Sequence, residues 1–349
     1  MRNISPLRYR WPTSAKVFFF FLLIATLVIP IPYVFFKPGE PDDLAGKLLQ
    51  ISQAKTYPIN GHLYITSILV SNPDTPVFGA ETLFNWASGF NVVLPKEQIY
   101  PNQVDGDAIE RGSRDEMSDS KIAAKAAALS LLGYKFEPIF YIKEFRDYSK
   151  AKGALQLGDR ILSVDGLQID KINQIRTGYS DRKIGEDIAI KVERIVGGEK
   201  KVISVRVELG PNEEIDGDSE RPAIGVLVGT SVEFPVNVKF GLRGVGGPSA
   251  GLMFALGIVD RLTKEDLVKG RKIAGTGTIT PDGQVGAIGG IEQKMLGASS
   301  KGATIFLAPK ENCADIEHVP TGLKVIPVSS LTEAIAALLA PDDFKFPTC

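Results

Sequence analysis

The chain of 349 residues contains only two histidines and two cysteines, and its formal net charge is −1. A Ser-His-Asp triad would need His62 or His318, and neither histidine lies in a motif typical of catalysis. The sequence has no paired-cysteine metal spacing, no His-Glu-x-x-His and no Gly-x-x-x-x-Gly-Lys-Ser/Thr phosphate loop. We therefore expect no metal, no cofactor and no built-in ATPase. The balanced charge gives no reason to expect nucleic acid as a partner.

A turn of small residues leads into an apolar helix near the middle of the second half of the chain. Gly246, Gly247 and Pro248 precede Ser249, and the apolar run 252–259 follows. The first helical turn accepts proline, because the missing N–H would have no intrahelical partner there. Ser249 is therefore predicted at a helix N-terminus, where unpaired N–H groups and the helix dipole suit an acyl-transfer oxyanion.

A second glycine-rich turn precedes Lys294, which follows Ser249 by 45 residues, in the segment Ile288-Gly289-Gly290-Ile291-Glu292-Gln293-Lys294. If a helix begins at Gly290, Lys294 lies at the edge of its buried stripe. Burial lowers the pKa of a lysine, and only the neutral amine can accept a proton from a serine hydroxyl. We predict Ser249 as nucleophile and Lys294 as base. Taken alone, the two segments are more often a plain helix start and a solvated lysine.

Together these segments resemble the proteolytic domain of the Lon family, whose Ser-Lys dyad lies in a Gly-Pro-Ser-Ala-Gly turn and a Gly-Gly-(aliphatic)-x-x-Lys helix. The resemblance covers residues 222–340 and implies that Thr276 hydrogen-bonds the lysine amine; the alternative is an ordinary strand threonine. Gly246 departs from the acidic residue of many ATP-dependent Lon enzymes. Residues 246–260 look like the membrane-anchored, PDZ-containing Lon-like proteases of Gram-positive bacteria. The resemblance also implies a homo-oligomer, a hexameric ring.

The N-terminal region contains an uncharged apolar run at residues 17–36. At about 1.5 Å per residue, such a run can cross a hydrocarbon core of about 30 Å, so we predict a transmembrane helix that bends or ends near Pro30 and Pro32. Basic residues precede the run, at Arg2, Arg8, Arg10 and Lys16. The positive-inside rule then leaves residues 1–16 in the cytoplasm and the catalytic domain outside. A cleavable signal peptide is the alternative, but the run is long and lacks a small-x-small site.

The chain has two cysteines, Cys313 and Cys349. An extracytoplasmic location would make a disulfide between them plausible, and two free thiols are the alternative.

A separate module precedes the serine motif. Residues 155–166 follow the Leu-x-x-Gly-Asp-x-Ile-x-x-Val-x-Gly cadence of PDZ domains, with turns at 158–159 and 165–166. The resemblance implies a PDZ-like domain at 134–209 whose groove takes an extended peptide by strand addition. No Gly-Leu-Gly-Phe type loop is recognisable before Pro138, so capture of a free C-terminus stays open. A PDZ-shaped spacer is the alternative.

The remaining segments suggest an α+β protease domain that the PDZ-like module interrupts. Residues 57–133 would supply its N-terminal part and residues 222–340 its catalytic part. The acidic stretch 210–221 would be a solvated linker, and residues 341–349 a C-terminal tail.

The sequence thus predicts a single-pass membrane-anchored, ATP-independent serine endopeptidase that cleaves extracytoplasmic proteins. Its partners would be protein or peptide substrates and the membrane, and the PDZ-like module would recruit substrates or control their access. The alternative is a membrane-tethered PDZ chaperone or scaffold with an inactive protease-like domain. The substrate, the cleavage specificity and the activation trigger stay open.

Overall fold

The computed structural model describes residues 12–100, 106–212, 221–242 and 244–341, together with residues 347 and 349. The chain divides into two compact units. Unit 1 consists of Met1–Gly133 and Val236–Cys349, and unit 2 of Tyr134–Pro235. Unit 2 therefore interrupts the sequence of unit 1. Of the segments named above, the start of the chain to residue 11, most of the acidic linker (213–220) and most of the tail (342–346 and 348) lie outside the described residues.

The described α-helices are α1 Thr13–Val28, α2 Gly79–Ala87, α3 Lys96–Ile99, α4 Gly106–Leu131, α5 Ile172–Thr177, α6 Gly251–Leu262, α7 Ile291–Ser300 and α8 Leu331–Leu339. A π-helical turn at Leu44–Leu48 and a 3₁₀-helix at Lys310–Asp315 complete the helical elements of these residues.

The described strands are short, apart from a long hairpin in unit 2. They are β1 Pro30–Ile31, β2 Tyr33–Pro38, β3 Asp42–Asp43, β4 Leu49–Ser52, β5 His62–Ile65, β6 Ile68–Val70, β7 Val77–Phe78, β8 Val92–Pro95, β9 Pro138–Phe145, β10 Arg160–Val164, β11 Leu167–Gln168, β12 Asp187–Val196, β13 Glu199–Glu208, β14 Gly210–Pro211, β15 Pro222–Ala223, β16 Val226–Val232, β17 Asn237–Phe240, β18 Lys272–Gly275, β19 Thr278–Ile279, β20 Val285–Gly286, β21 Ile305–Pro309 and β22 Lys324–Val328.

Unit 1 is built on a five-stranded sheet in the order β22-β21-β18-β5-β3. The strands from β22 to β5 are parallel, and β3 runs antiparallel to β5 at the edge. Parallel strands that are covered on both faces consist almost entirely of apolar residues. In β21 every residue after Ile305 is buried, which matches that rule.

Helices α6 and α7 carry the two motifs of the dyad. Every residue of α6 from Gly251 to Asp260 is buried, so this helix is the centre of unit 1. The alanine-rich half of α4 packs against α6, because small side chains allow two helices to approach closely. Helix α7 buries Ile291, Met295 and Ala298 in a core cluster with residues of β5, β18 and β21. The starts of α6 and α7 therefore have fixed positions.

The apolar run 17–36 does not form one helix. Helix α1 has 16 residues and ends at Val28, and Ile29 is already extended at φ −69° and ψ 130°. Strand β1 then pairs with β7, and β2 pairs with β6 and β8. Val34 and Phe35, inside the run, are buried in that sheet. The second half of the run is therefore paired as strands in unit 1 and contributes Val34 and Phe35 to its core.

Helix α1 would span about 24 Å at about 1.5 Å per residue, less than a hydrocarbon core of about 30 Å. Within the described ranges, none of the helices has both the length and the apolar character that a membrane crossing requires. The prediction of a transmembrane helix in the fold is therefore wrong, and so is the predicted single-pass membrane localisation. The fold is mixed α/β without that helix.

Unit 2 is a small β-rich body with its own core. Its sheet has the order β13-β12-β10-β9-β16, and β11 pairs with β10. Strands β12 and β13, of ten residues each, form a hairpin around Gly197 and Gly198, both at positive φ, as a two-residue turn requires. Arg194 donates to both carboxylate oxygens of the buried Asp159, at 2.7 and 2.6 Å. Because β16 pairs with β9, the residues after 222 belong to unit 2 as far as Pro235.

The predicted disulfide is present in unit 1. Cys313, in the 3₁₀-helix, is bonded to Cys349, and the Cα atoms are 4.8 Å apart. The bond closes a loop with a sequence separation of 36 residues and joins residue 349 to the folded core.

Reduction of this bond is expected to lower the free energy of unfolding. On the chain-entropy model, a loop of this length contributes about 4 kcal/mol through the unfolded state. The melting temperature of the oxidised protein should therefore fall in the presence of a reductant. The double variant Cys313→Ser/Cys349→Ser should have the melting temperature of the reduced wild type, with or without reductant. An equal shift in that double variant on reductant addition would contradict the assignment.

Candidate active site

Ser249 lies in a turn that ends at the first residue of α6. Gly247 has φ +80°, a conformation that L side chains rarely adopt, so glycine is required here. The Ser249 carbonyl accepts a hydrogen bond from the Gly277 N–H at 2.8 Å, and the Gly277 carbonyl accepts one from the Leu252 N–H at 3.1 Å. The serine is thus held on the segment that follows β18. Its side chain is half-buried and can be reached from solvent.

Lys294 reaches this serine from α7, which begins after Gly290. Gly290 is left-handed, at φ 68° and ψ 41°, and its carbonyl accepts the Lys294 N–H at 3.1 Å. The Lys294 side chain is only 3% exposed. Its Nζ lies 2.8 Å from Ser249 Oγ and 3.1 Å from Thr276 Oγ1. The structure therefore brings together the side chains of Ser249, Lys294 and Thr276.

The hydrogen bonds of Thr276 leave the lone pair of the lysine amine free to accept the Ser249 proton. Thr276 is fully buried, and its Oγ1 donates to the Ser249 carbonyl at 3.0 Å. Since its one proton is used there, the threonine hydroxyl can only accept from Lys294 Nζ. A neutral amine that donates to Thr276 keeps its lone pair, which can then accept the Ser249 Oγ proton.

Burial lowers the pKa of Lys294 from its ordinary value of 10.5 to about 8. The cause is desolvation, which disfavours the ammonium ion. Among the described residues, no carboxylate acts on this lysine to oppose the effect. With a pKa near 8, roughly a tenth of the lysine is neutral at pH 7. This arrangement can supply a proton acceptor next to a hydroxyl.

Ser249 and Lys294 face an apolar cavity of about 570 Å³ in unit 1. Its walls include Ile65, Ile68, Leu69, Met117, Val245 and Ile288. Lys294 is the one lysine or acidic residue among the described residues that line it, and its amine is directed to Ser249. Apart from the reacting groups, the cavity therefore favours apolar side chains.

Gly246 occupies the position where many ATP-dependent Lon enzymes have an acid. A Cβ built on Gly246 would lie 2.1 Å from Ser113 Oγ and 3.0 Å from Ser113 Cβ. Helix α4 therefore leaves no room for a side chain at residue 246 unless Ser113 moves.

Asn312 is a buried polar residue that the sequence motifs did not indicate. Its Oδ1 accepts the Ile288 N–H at 2.9 Å, and its Nδ2 donates to the Ile288 carbonyl at 2.9 Å and to Asp315 Oδ2 at 2.8 Å. The side chain thus pairs with both backbone groups of Ile288, which lines the cavity and precedes α7. Because Asn312 and Ile288 are 24 residues apart, no local spacing could have shown this contact.

The two histidines lie elsewhere. His62 Nδ1 is 2.6 Å from Asp43 Oδ2, and its ring stacks on Tyr64. His318 is exposed, and its Nδ1 is 3.8 Å from Glu292 Oε1. Neither histidine lines the cavity at Ser249.

Unit 2 has a cavity of its own, about 210 Å³, beside α5 and β16. Its lining includes Ile172 and Ile175 of α5, Val226 and Val228 of β16, and the segment 222–225 before that strand. Gly225 in this segment has φ +72°. Strand β16 ends the order of the described sheet, so only one of its edges is paired, with β9.

Comparison with known proteins matches one family to a range that lies almost entirely in unit 1. Residues 232–341 match the family model of the Lon protease (S16) C-terminal proteolytic domain. The Lon protease of Endomicrobium trichonymphae is 29% identical over 46% of this chain and 21% of its own length. Lon protease 1 of Bacillus subtilis is 39% identical over 29% of this chain and 13% of its own length. This confirms the resemblance of the catalytic part to a Lon-type proteolytic domain. The chain spans about a fifth or less of these relatives.

Two of the similar solved structures are PDZ domains. The PDZ domain of the SdrC-like protein from Listeria monocytogenes is 19% identical, over 26% of this chain and 85% of that chain, with a TM-score of 0.21. The PDZ domain of the SdrC-like protein from Listeria innocua is 22% identical, over 26% of this chain and 92% of that chain, with a TM-score of 0.21. At these TM-scores the likeness does not establish a shared fold.

The lowered pKa of Lys294 predicts a pH-dependent stability. Between about pH 8 and pH 10.5 the unfolded chain binds a proton at this lysine that the folded protein does not, so the free energy of unfolding should rise with pH in this window. The total change is on the order of 3 kcal/mol. Urea unfolding from pH 7 to pH 10.5 should show this rise in the wild type but not in Lys294→Met.

Lys264→Met removes an exposed lysine from the same unit and serves as the matched control. It should keep the wild-type pH dependence. If the free energy of unfolding changed with pH in the same way in the wild type and in Lys294→Met, the lowered pKa would be contradicted.

Proposed function

We propose that this chain is a serine endopeptidase that hydrolyses peptide bonds without ATP, with Ser249 as nucleophile and Lys294 as general base. The observation that carries the proposal is the buried Lys294 Nζ, 2.8 Å from Ser249 Oγ and 3.1 Å from Thr276 Oγ1. A buried lysine that has no carboxylate partner in the described ranges is costly to the fold, and such costs are typical of functional sites. The match of residues 232–341 to Lon proteolytic domains supports the same reaction class.

In the first half of the reaction, Ser249 Oγ attacks the scissile carbonyl carbon while neutral Lys294 accepts the hydroxyl proton. The resulting ammonium group donates that proton to the leaving amine, the C–N bond breaks, and an ester to Ser249 remains. In the second half, the neutral lysine accepts a proton from water, which attacks the ester. The proton then returns to Ser249 Oγ, and the carboxylic acid product leaves.

The tetrahedral oxyanion needs donors beside Ser249. Within the described part of the chain, no group accepts the backbone N–H of Ser249 or of Ala250. Both groups stand at the start of α6, where the helix dipole also favours negative charge. We assign them as the donors of the oxyanion hole. Thr276 orients the amine by accepting one of its N–H groups.

The substrate class follows from the cavity. Its apolar walls favour an apolar side chain next to the scissile bond, which an unfolded or extended polypeptide can present. The resemblance to Lon also implies a homo-oligomeric ring. A PDZ-like scaffold with an inactive protease-like domain stays the alternative.

In unit 2, we propose a PDZ-like domain that recruits polypeptides. Strand β16 has an unpaired edge among the described strands, and a groove lined by both apolar and polar side chains separates it from α5. An extended peptide could add to this edge, with alternate side chains in the groove and its carboxylate near the segment 222–225. A PDZ carboxylate loop is expected before Pro138, whereas the segment that adjoins this groove comes after residue 221.

Ser249→Ala and Lys294→Ala are each expected to reduce the hydrolysis of a disordered protein such as casein by more than about 1,000-fold, because each variant removes a group that the first step needs. Thr276→Val should lower kcat by about 10- to 100-fold, since the lysine stays but is less well oriented. Rates are measured on the full chain without ATP, with Lys264→Met as control. Full activity in Lys294→Ala would exclude the dyad. An inactive wild type would favour the scaffold alternative.

The groove of unit 2 is tested at Ile172, which is 53% exposed and lines it. Ile172→Glu should raise KM for a full-length protein substrate roughly tenfold, because it places a charge in an apolar contact. Hydrolysis of a short peptide should not change. Val202→Glu, at an exposed position of β13 away from the groove, is the matched control. Equal KM values for Ile172→Glu and wild type would exclude recruitment by this groove.

A further inference from the structure

Helix α4 holds the turn of the nucleophile at two points. The Gly247 N–H donates to the Ser113 carbonyl at 2.8 Å, and Ser120 Oγ donates to the Pro248 carbonyl at 2.8 Å. Ser120 is 5% exposed, so its hydroxyl is withdrawn from water and bonded to the residue before Ser249. Its other close neighbour is Gly251, on which a Cβ would lie 3.0 Å from Ser120 Oγ.

The bond from Ser120 determines the direction of the Ser249 N–H. The Pro248 carbonyl and the Ser249 N–H belong to one peptide group, which is planar and trans. In such a group the C=O and the N–H point in opposite directions. Because the carbonyl of Pro248 points to Ser120 on α4, the N–H of Ser249 must point away from Ser120. This N–H is one of the two donors that we assign to the oxyanion hole.

Without Ser120, little would hold this peptide group in its orientation. The other contact of the Pro248 carbonyl is the Gly251 N–H, at the long distance of 3.4 Å. Rotation of this peptide group changes ψ of Pro248 and φ of Ser249, and the proline ring fixes neither of these two angles. A rotation of the Pro248–Ser249 peptide would replace the N–H donor by a carbonyl oxygen, which repels an oxyanion.

We propose that Ser120 is a positioning residue of the hydrolytic reaction, whose hydroxyl holds the Pro248 carbonyl and thereby keeps the Ser249 N–H available to the oxyanion. Its catalytic consequence rests on the proposed function. Ser120 never touches the substrate. Loss of one oxyanion donor costs about 100- to 1,000-fold in kcat. Removal of the Ser120 hydroxyl permits the rotation without enforcing it, so a smaller effect is expected.

The kinetic test compares Ser120→Ala with Ser118→Ala, an exposed serine on the same helix. Alanine is smaller than serine and favours helix, so both variants should fold. Ser120→Ala should lower kcat by about 10- to 100-fold with KM within about twofold, because the oxyanion forms only in the transition state. Ser118→Ala should match the wild type. A wild-type kcat in Ser120→Ala, or a loss confined to KM, would overturn the proposal.

A transition-state analogue separates positioning from a general structural effect. A peptide boronate forms a tetrahedral adduct with a serine nucleophile, whereas the same peptide with a free carboxylate imitates only the product. Ser120→Ala should lose boronate affinity by the same factor as kcat and keep its affinity for the product peptide. Equal losses for both ligands would overturn the proposal. Ser120→Cys keeps the side-chain shape with a larger atom in place of the oxygen, but its S–H is a weak donor. Its boronate affinity should therefore be reduced as well, and wild-type affinity there would also overturn the proposal.

Crystal structures of the wild type and Ser120→Ala provide a readout that needs no turnover. The variant should show the Pro248–Ser249 peptide rotated, or in two orientations, while α4 and α6 stay in place. An unchanged peptide plane would overturn the proposal. If the wild type cleaved no substrate, the proposed function would fail, and this comparison would still decide whether Ser120 holds the peptide.

Discussion

The buried amine of Lys294 is the interaction on which the rest of this site depends. An ammonium ion in this position would lose most of its hydration, and no described carboxylate compensates for that loss. The fold therefore shifts the pKa of the lysine to about 8 and accepts a cost in stability. The same burial brings Nζ to 2.8 Å from Ser249 Oγ. The burial of Lys294 thus lowers the stability of the fold and at the same time makes its amine a better proton acceptor near neutral pH.

The scaffold holds this amine through contacts that lie far apart in sequence. Helix α7 begins after the left-handed Gly290, and Asn312 pairs with both backbone groups of Ile288 just before it. Helix α4 holds the turn before Ser249, the partner of this amine, through the bond from Ser120 to the Pro248 carbonyl. Each contact restrains a glycine-containing loop that would otherwise have many conformations. The cavity between these loops is apolar, which keeps the amine desolvated.

The sequence predicts those parts of the site that local motifs encode. Ser249 and Lys294 each stand in a short glycine-rich segment, and their side chains do meet. Ser120 could not be found in this way, since its partner is 128 residues distant. The transmembrane helix was predicted wrongly because hydropathy does not distinguish a membrane span from apolar residues such as Val34, which a sheet buries. The pairing of strands decides whether such a run is a membrane span or part of a sheet, and this pairing depends on residues remote in sequence.

The central claim is that a neutral Lys294 activates Ser249. It is tested most directly by the rate at which a peptidyl diphenyl phosphonate adds to Ser249, followed by intact mass between pH 6 and pH 10, a range chosen around the lysine pKa of about 8. The account predicts one adduct, on Ser249, whose rate of formation rises through a single ionisation near pH 8 and is lost in Lys294→Met. A rate independent of pH, or unchanged labelling in Lys294→Met, would contradict it.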